Sequence, residues 1–469
     1  MPFSLVVYIF SLCLRGIGMS ITINITEYGA KPDGTIQTEN IQKALDACFL
    51  AGGGKVVVPQ GEFITGGVRV RSNTTLYLES GATLKGTRNP EDYFAWKNDQ
   101  IEPVNPEKLT DNLWVNVKDR TSSDFLRLAG SRWNNAMIRI IDAKNIAIIG
   151  EEGSIIDGSD CYDEIGEENY RGPHGINIRE SKNITLKGYR IQNTGNWANT
   201  IFNSQNLHVD GITIWGGHDG IHMQGCDDIL IENCAIYSGD DCIAGYDNHD
   251  VHVRNCEVNS ACSAFRFGGN NVLIEDCHIF GPAKVLFRGG LSLQEKIDGA
   301  HVSMTGRYNM LSVFTYYSDF NFNVRKTPEN IVVRNCKVEN TTRFLHYNFS
   351  GNENWQLNRP LEGIKFENIT VDGVDMPFHA YGSADAPATV ELKNITYKVN
   401  PEAKFNELFK IANLKELKLE NVTVENFNGD MVFASWGNVE NIILDNFSLG
   451  SDADELTTLR DDEFICDAI

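Results

Sequence analysis

What this chain lacks narrows its function before any motif is read. Positive charge is scarce: 41 Lys and Arg stand against 63 Asp and Glu, a formal net charge of −22. That balance argues against nucleic acid or an anionic membrane as the main partner, whereas an acidic ligand needs only a few local cations in a cleft. A membrane-spanning run is missing at the N-terminus too. Ser4 to Leu14 is apolar, but it is too short to cross a bilayer, has no Lys or Arg before it and has Arg15 after it. Residues 1–18 therefore read as lying upstream of a true start at Met19, with an atypical signal peptide as the alternative. There is no Pro/Ser-rich linker, so residues 19–450 are expected to form one domain, followed by an acidic tail at 451–469. Eleven cysteines is an odd number without the spacing of a secreted disulfide framework. A reducing, cytoplasmic compartment is the expectation and secretion its alternative.

What the chain has is a repeat. An Asn or Asp followed by alternating apolar residues opens units at Asn183, Asn206, Asp228, Asp250 and Asn271, in steps of 23, 22, 22 and 21. Related units open at Asn145, Asn330, Gly363, Leu414 and Asn441. Each reads as a short strand, a turn and a second short strand, as in Asn206–Ile214, with period-2 alternation on both sides of the turn. A repeat this short, with strands and no helix, predicts an all-β solenoid of parallel coils. The spaced leucines of a leucine-rich repeat are absent. A solenoid grows in length without enlarging its cross-section, so 469 residues need not mean several domains.

Two features serve this solenoid. The stretch Thr38–Ala51 reads as a helix with a capping residue at its start and Gly52-Gly53-Gly54 as its stop, placed where it would cover the open end of the core. Cys234, Cys256, Cys277 and Cys336 fall at one phase of the repeat and predict a stacked interior ladder of thiols.

Carboxylates also fall in phase. Asp219 stands 13 residues after Asn206, and Asp241 stands 13 after Asp228, with Asp240 beside it. Consecutive coils should therefore bring Asp219, Asp240 and Asp241 onto one face. Such a cluster is what acid–base cleavage of a glycosidic bond requires. Coils about 4.8 Å apart crowd these groups, and the one in the most negative surroundings keeps its proton near neutral pH.

At this point the residues resemble a known family. Ile25–Gly34, the predicted helix, Gly54–Gly61 and Leu78–Ala82 are similar to the opening of polygalacturonase-type β-helix proteins. Gly217-His218-Asp219-Gly220-Ile221 and Ser238-Gly239-Asp240-Asp241-Cys242 resemble the two carboxylate motifs of glycoside hydrolase family 28. The likeness covers about residues 25 to 345 well and the later coils loosely. It implies a right-handed parallel β-helix with an N-terminal capping helix, and inverting hydrolysis of a pectic or other uronate-containing saccharide without cofactor or metal. It also implies Asp240 as the general acid, with Asp219 and Asp241 activating the attacking water.

Two family motifs are missing. Where many members carry Gly-His-Gly one coil later, this chain reads Ala261-Cys262-Ser263-Ala264, and the Arg-x-Lys pair that grips a sugar carboxylate has no clean equivalent. Phase arithmetic proposes substitutes. Ser263 and Lys284 continue the column of Asp219 and Asp241, Asn196 precedes it, and His222 shares a second column with Arg266. The expected cleft floor is Asn196, His218, His222, Arg266 and Lys284 around the three aspartates, with Arg288 at its rim.

Plainer readings compete. The aspartates could be turn residues, the histidines could bond to neighbouring turns, and Lys284 and Arg288 could be surface charges. Arg266, between Phe265 and Phe267, should point opposite to both rings. Trp197 and Trp215 read as packing. Two rival functions share the scaffold: a lyase whose carboxylates hold Ca²⁺, and a carbohydrate-binding β-helix without catalysis. The segments Asn89–Asn135 and Leu291–Lys326 are expected to wall off one end of the cleft.

Overall fold

The computed structural model describes residues 21–93, 134–166, 170–287, 310–318, 325–349, 356 and 359–450. The expectations placed on residues 1–18, on the tail, on Arg288 and on most of the two candidate wall segments lie outside these residues.

The corners make the coil. Asn183, Asn206, Asp228, Asp250 and Asn271 all take left-handed backbone, with φ of 59°, 58°, 57°, 54° and 58°. Asn and Asp tolerate this region better than other side chains with a Cβ, which is why the repeat opens on them. The corners also bond to one another. Asn183 Nδ2 donates to Asn145 Oδ1 at 2.8 Å, Asn206 to Asn183 at 2.9 Å, and Asn330 to Asn271 at 2.8 Å.

Between corners each coil supplies three strands, for example Gln205–Asp210, Thr213–Gly216 and Ile221–Gln224. Each pairs in parallel with its counterpart on the next coil. One register runs Ile221 to Ile243 to Phe265 to Phe314, and all four side chains are buried in the core. Successive coils stack in this way into a right-handed parallel β-helix. The unit Ala388–Val399, whose opening carries no Asn or Asp, escaped the sequence pattern. It pairs with Gly363–Val374 on one side and Leu414–Glu425 on the other.

The helix spans Thr38–Leu50 and buries Ile41, Ala44, Leu45 and Cys48 at the end of the core. Thr38 does not cap it as expected. Gln37 holds the cap position without a side-chain bond, while Thr38 Oγ1 accepts from the backbone of Gly66 at 2.7 Å and so ties the helix to the first coils. Gly53, at φ 116°, ends the helix where a Cβ would meet the Asn73 carbonyl at 2.3 Å.

Cys234, Cys256, Cys277 and Cys336 are buried and unpaired. Each thiol donates to the carbonyl two residues earlier, at 3.1, 3.2, 3.2 and 3.1 Å. Thiol titration of the native protein should leave Cys234, Cys256 and Cys277 unmodified until denaturant is added. Rapid labelling of any of them would show that the ladder is open to solvent.

Candidate active site

The site grows out of two turns. Gly217–Gly220 leads into Ile221–Gln224, and Gly239–Cys242 leads into Ile243–Arg254. Gly220 N–H donates to the Asp241 carbonyl at 2.9 Å, and Cys242 N–H to the Ser263 carbonyl at 3.0 Å. Asp219, Asp241 and Ser263 thus stand in one column. Asp219 and Asp241 are buried, whereas the Asp240 side chain keeps 16 % of its surface open.

Each aspartate has its own company. Asp219 Oδ2 lies 2.6 Å from His222 Nδ1. His222 Nε2 lies 2.7 Å from the Gln224 amide nitrogen, which can only donate. The proton of a neutral imidazole then belongs on Nδ1, facing Asp219. Burial, with Arg266 nearby, holds His222 well below the usual histidine range, consistent with that neutral form. Trp197 stacks on the same ring, centroids 3.8 Å apart and planes 5° from parallel. Asp241 accepts from the Ser263 backbone at 3.1 Å and from Arg266 Nη1 at 3.3 Å. Arg266 also lies over the Tyr317 ring at 4.2 Å. Asp240 faces Arg171 Nη2 at 4.0 Å. Burial first, and then the other carboxylates, push Asp219 and Asp240 well above the usual carboxylate range.

His218 and Asn196 reach this cluster through Arg171, whose Nη1 lies 3.1 Å from His218 Nδ1 and 3.2 Å from Asn196 Oδ1. Asn196 does not stand above Asp219 as phase arithmetic proposed. The Ala198 amide bonds the Asp219 carbonyl, which puts Trp197 in that column, because the turn before it carries one more residue than its neighbours. Lys284 is displaced as well. Ser263 pairs with Ser312 beyond the long insertion, and Lys284 Nζ lies 3.2 Å from Glu257, over the Tyr237 ring. Arg266 points away from the buried Phe265 and Phe267, in one column with His222 across Ala244.

Arg171, Trp197, Gln224 and Tyr317 were missed as site residues. Arg171 forms an isolated antiparallel bridge with Tyr162 outside the repeat, and Tyr317 follows an insertion, so neither carried a phase. Trp197 reaches the Asp219 column only through the longer turn, which counting misses, whereas Gln224 stands two residues after His222 on one strand and could have been found from period-2 alternation.

Two groups among the described residues place three possible ligand atoms within 4.8 Å of one another: Asp240, Asp241 and Cys262, and His208, Asp210 and Glu232. The second is already engaged by Lys187 at 2.7 Å and Arg254 at 2.6 Å.

The family model described as glycosyl hydrolases family 28 matches residues 115–264, the stretch that contains all three aspartates. That stretch, about a third of the chain, is similar to glycosyl hydrolases family 28. It is 39% identical over 153 residues to an exo-poly-alpha-D-galacturonosidase of Dickeya chrysanthemi, covering 31% of this chain and 21% of that one. It is 26% identical over 243 residues to a probable polygalacturonase of Vitis vinifera, covering 49% and 45%. The chain thus spans less than half the length of either relative. The fold resembles that of a hyperthermoactive exopolygalacturonase from Thermotoga maritima, with TM-score 0.60 and 17% identity over 86% of this chain and 91% of that one. A family 28 exopolygalacturonase of Yersinia enterocolitica gives TM-score 0.59 and 17% identity over 90% and 78%.

The raised aspartates carry a stability consequence. An unfolded Asp releases its proton near pH 4, whereas the folded Asp219–Asp240 pair holds on to it. The native state then binds more protons than the unfolded one, so stability falls as pH rises. Thermal unfolding should show Tm declining from about pH 4 through neutrality, and Asp240→Asn should flatten that decline; an unchanged slope would contradict the crowding of these carboxylates.

Arg266 touches Asp241 directly, so Arg266→Ala should lower turnover at least about tenfold on acidic and neutral saccharides alike. A loss confined to the acidic substrate would instead make Arg266 a reader of sugar charge.

Proposed function

We propose that this chain is an inverting glycoside hydrolase acting on a pectic, uronate-containing saccharide. The observation that carries the reading is Asp240, a partly open carboxylic acid held between two buried aspartates and a cation. A surface turn needs no such crowding. In the proposed reaction the Asp240 proton passes to the leaving glycosidic oxygen as the bond to the anomeric carbon breaks. Water attacks that carbon from the opposite face and gives its proton to the Asp219–Asp241 pair. His222, donating to Asp219, orients one base, and Arg266 with the Ser263 amide orients the other. Solvent exchange then restores the proton to Asp240.

The pectic assignment is supported by the likeness to polygalacturonan-degrading relatives and by the cations of the site. Arg171 and Arg266 both face carboxylates, so an acidic sugar meets a balanced cleft in an otherwise acidic protein. A Ca²⁺-dependent elimination fits less well. The trio nearest to a metal site includes Cys262, and a thiol suits hard Ca²⁺ poorly.

Asp240→Asn should fold and lose at least about a hundredfold in turnover on oligogalacturonides, the usual scale for a general acid. Product chromatography, with the anomeric configuration read by NMR, checks the stereochemistry. Near-wild-type turnover would remove Asp240 from the chemistry, and an unsaturated product lost on chelation would favour the lyase.

A further inference from the structure

The cations around the three aspartates are occupied, but one nearby is not. Arg179 ends the strand His174–Arg179, two coils before Ile221–Gln224 on the same face. It is half-buried, its guanidinium lies 4.9 Å from the Phe202 ring centre, and no ion pair is made to it among the described residues. Glu180, next in the chain, is exposed and accepts from Asn203 at 3.2 Å. Burial lowers the Arg179 pKa to about 10, which still leaves it charged at neutral pH.

Its neighbours are also unsatisfied. Asn177 is outward-facing, flanked by the core residues Ile176 and Ile178, and buried; neither of its side-chain amide atoms has a hydrogen-bond partner among the described residues. Thr200 pairs with Asn177 in register and is buried with its hydroxyl unbonded. On the following coil, Gln224 spends its nitrogen on His222 and leaves Oε1 without a partner. Buried polar groups are rarely left so, and several together on one face mark a place built for something else. The grid carries a cation, an amide with both functions free, a hydroxyl and an acceptor, with the Phe202 ring among them. That set matches a sugar residue bearing a carboxylate and hydroxyls.

We propose that Arg179, Asn177, Thr200 and Gln224 form a uronate-binding subsite that runs from Gln224, on the coil of Asp219, back two strand spacings, about 10 Å, to Asn177 and Arg179. Arg179 takes the sugar carboxylate, Asn177 and Thr200 take ring hydroxyls, and Phe202 lies against the sugar. The inference rests on reading the cleft as a saccharide site, and it places the recognition of acidic charge on Arg179 instead of on Arg266.

The test uses the full chain carrying Asp240→Asn, titrated calorimetrically with tetragalacturonate and with its fully methyl-esterified form. Adding Arg179→Gln should weaken tetragalacturonate binding at least about tenfold, the scale of a charge-assisted hydrogen bond, and change ester binding less than about threefold. Equal weakening of both, or no measurable binding of tetragalacturonate before Arg179 is changed, overturns the subsite. Thr200→Val provides a second readout. It should weaken tetragalacturonate binding while leaving Tm unchanged or raised, because it removes an unbonded hydroxyl. A fall in Tm would show that the hydroxyl serves the fold. Binding that depends on Arg179, in a parent chain that hydrolyses no pectic saccharide, would keep the subsite and sink the hydrolase reading.

Discussion

Everything in this molecule hangs on the parallel register between successive coils. A residue that pairs with its counterpart one turn later places its side chain about 4.8 Å from it, on the same face. Position in the repeat thereby becomes position in space. The left-handed Asn corners, the thiol column and the Asp219–Asp241–Ser263 column are three results of that one rule, differing only in phase. Burial follows from it too. The inward columns of Ile, Val and Phe close the core and leave polar residues to the outward columns. On the face that carries the aspartates one of these runs from Arg139 through Asn177, Thr200, His222, Ala244 and Arg266 to Thr315.

The carboxylate cluster uses the rule to do something folding disfavours. Three carboxylates brought together in a partly desolvated site repel one another, and each loses hydration. The structure answers with two arginines, a histidine and backbone amides, and it leaves Asp240 the most open of the three. Together with burial, the same crowding that weakens the fold raises Asp219 and Asp240 well above the usual carboxylate range. An isolated surface aspartate meets neither effect.

How much of this was legible in the sequence depends on whether a residue kept the beat of the repeat. Asp219, Asp241, His222 and Arg266 keep it, and their columns follow from counting. Asn196 fails by one residue because the turn before Trp197 is longer than its neighbours. Lys284 fails because the cleft strand of its coil begins only at Met310, after an insertion, so its count leads to Glu257 instead of to the aspartates. Arg171 belongs to no repeat unit, and only three-dimensional folding brings its guanidinium to His218 and Asp240. Periodicity reports what the coils stack. It is silent on what loops deliver.

The outward column also separates two uses of a polar residue. His222 and Arg266 are bonded to the aspartates and rigidify them. Asn177 and Thr200 stand in the same column, and their side chains have no hydrogen-bond partner among the described residues. If stability alone decided these positions, apolar residues of similar shape would serve better, since an unbonded buried polar atom opposes folding. The β-helix tolerates them because each coil is held by its own ladder of backbone bonds and its own inward side chains, so one unfavourable outward position does not propagate to the next. A repeat architecture can therefore leave a row of groups unsatisfied along its cleft face, and the proposed subsite exploits that tolerance.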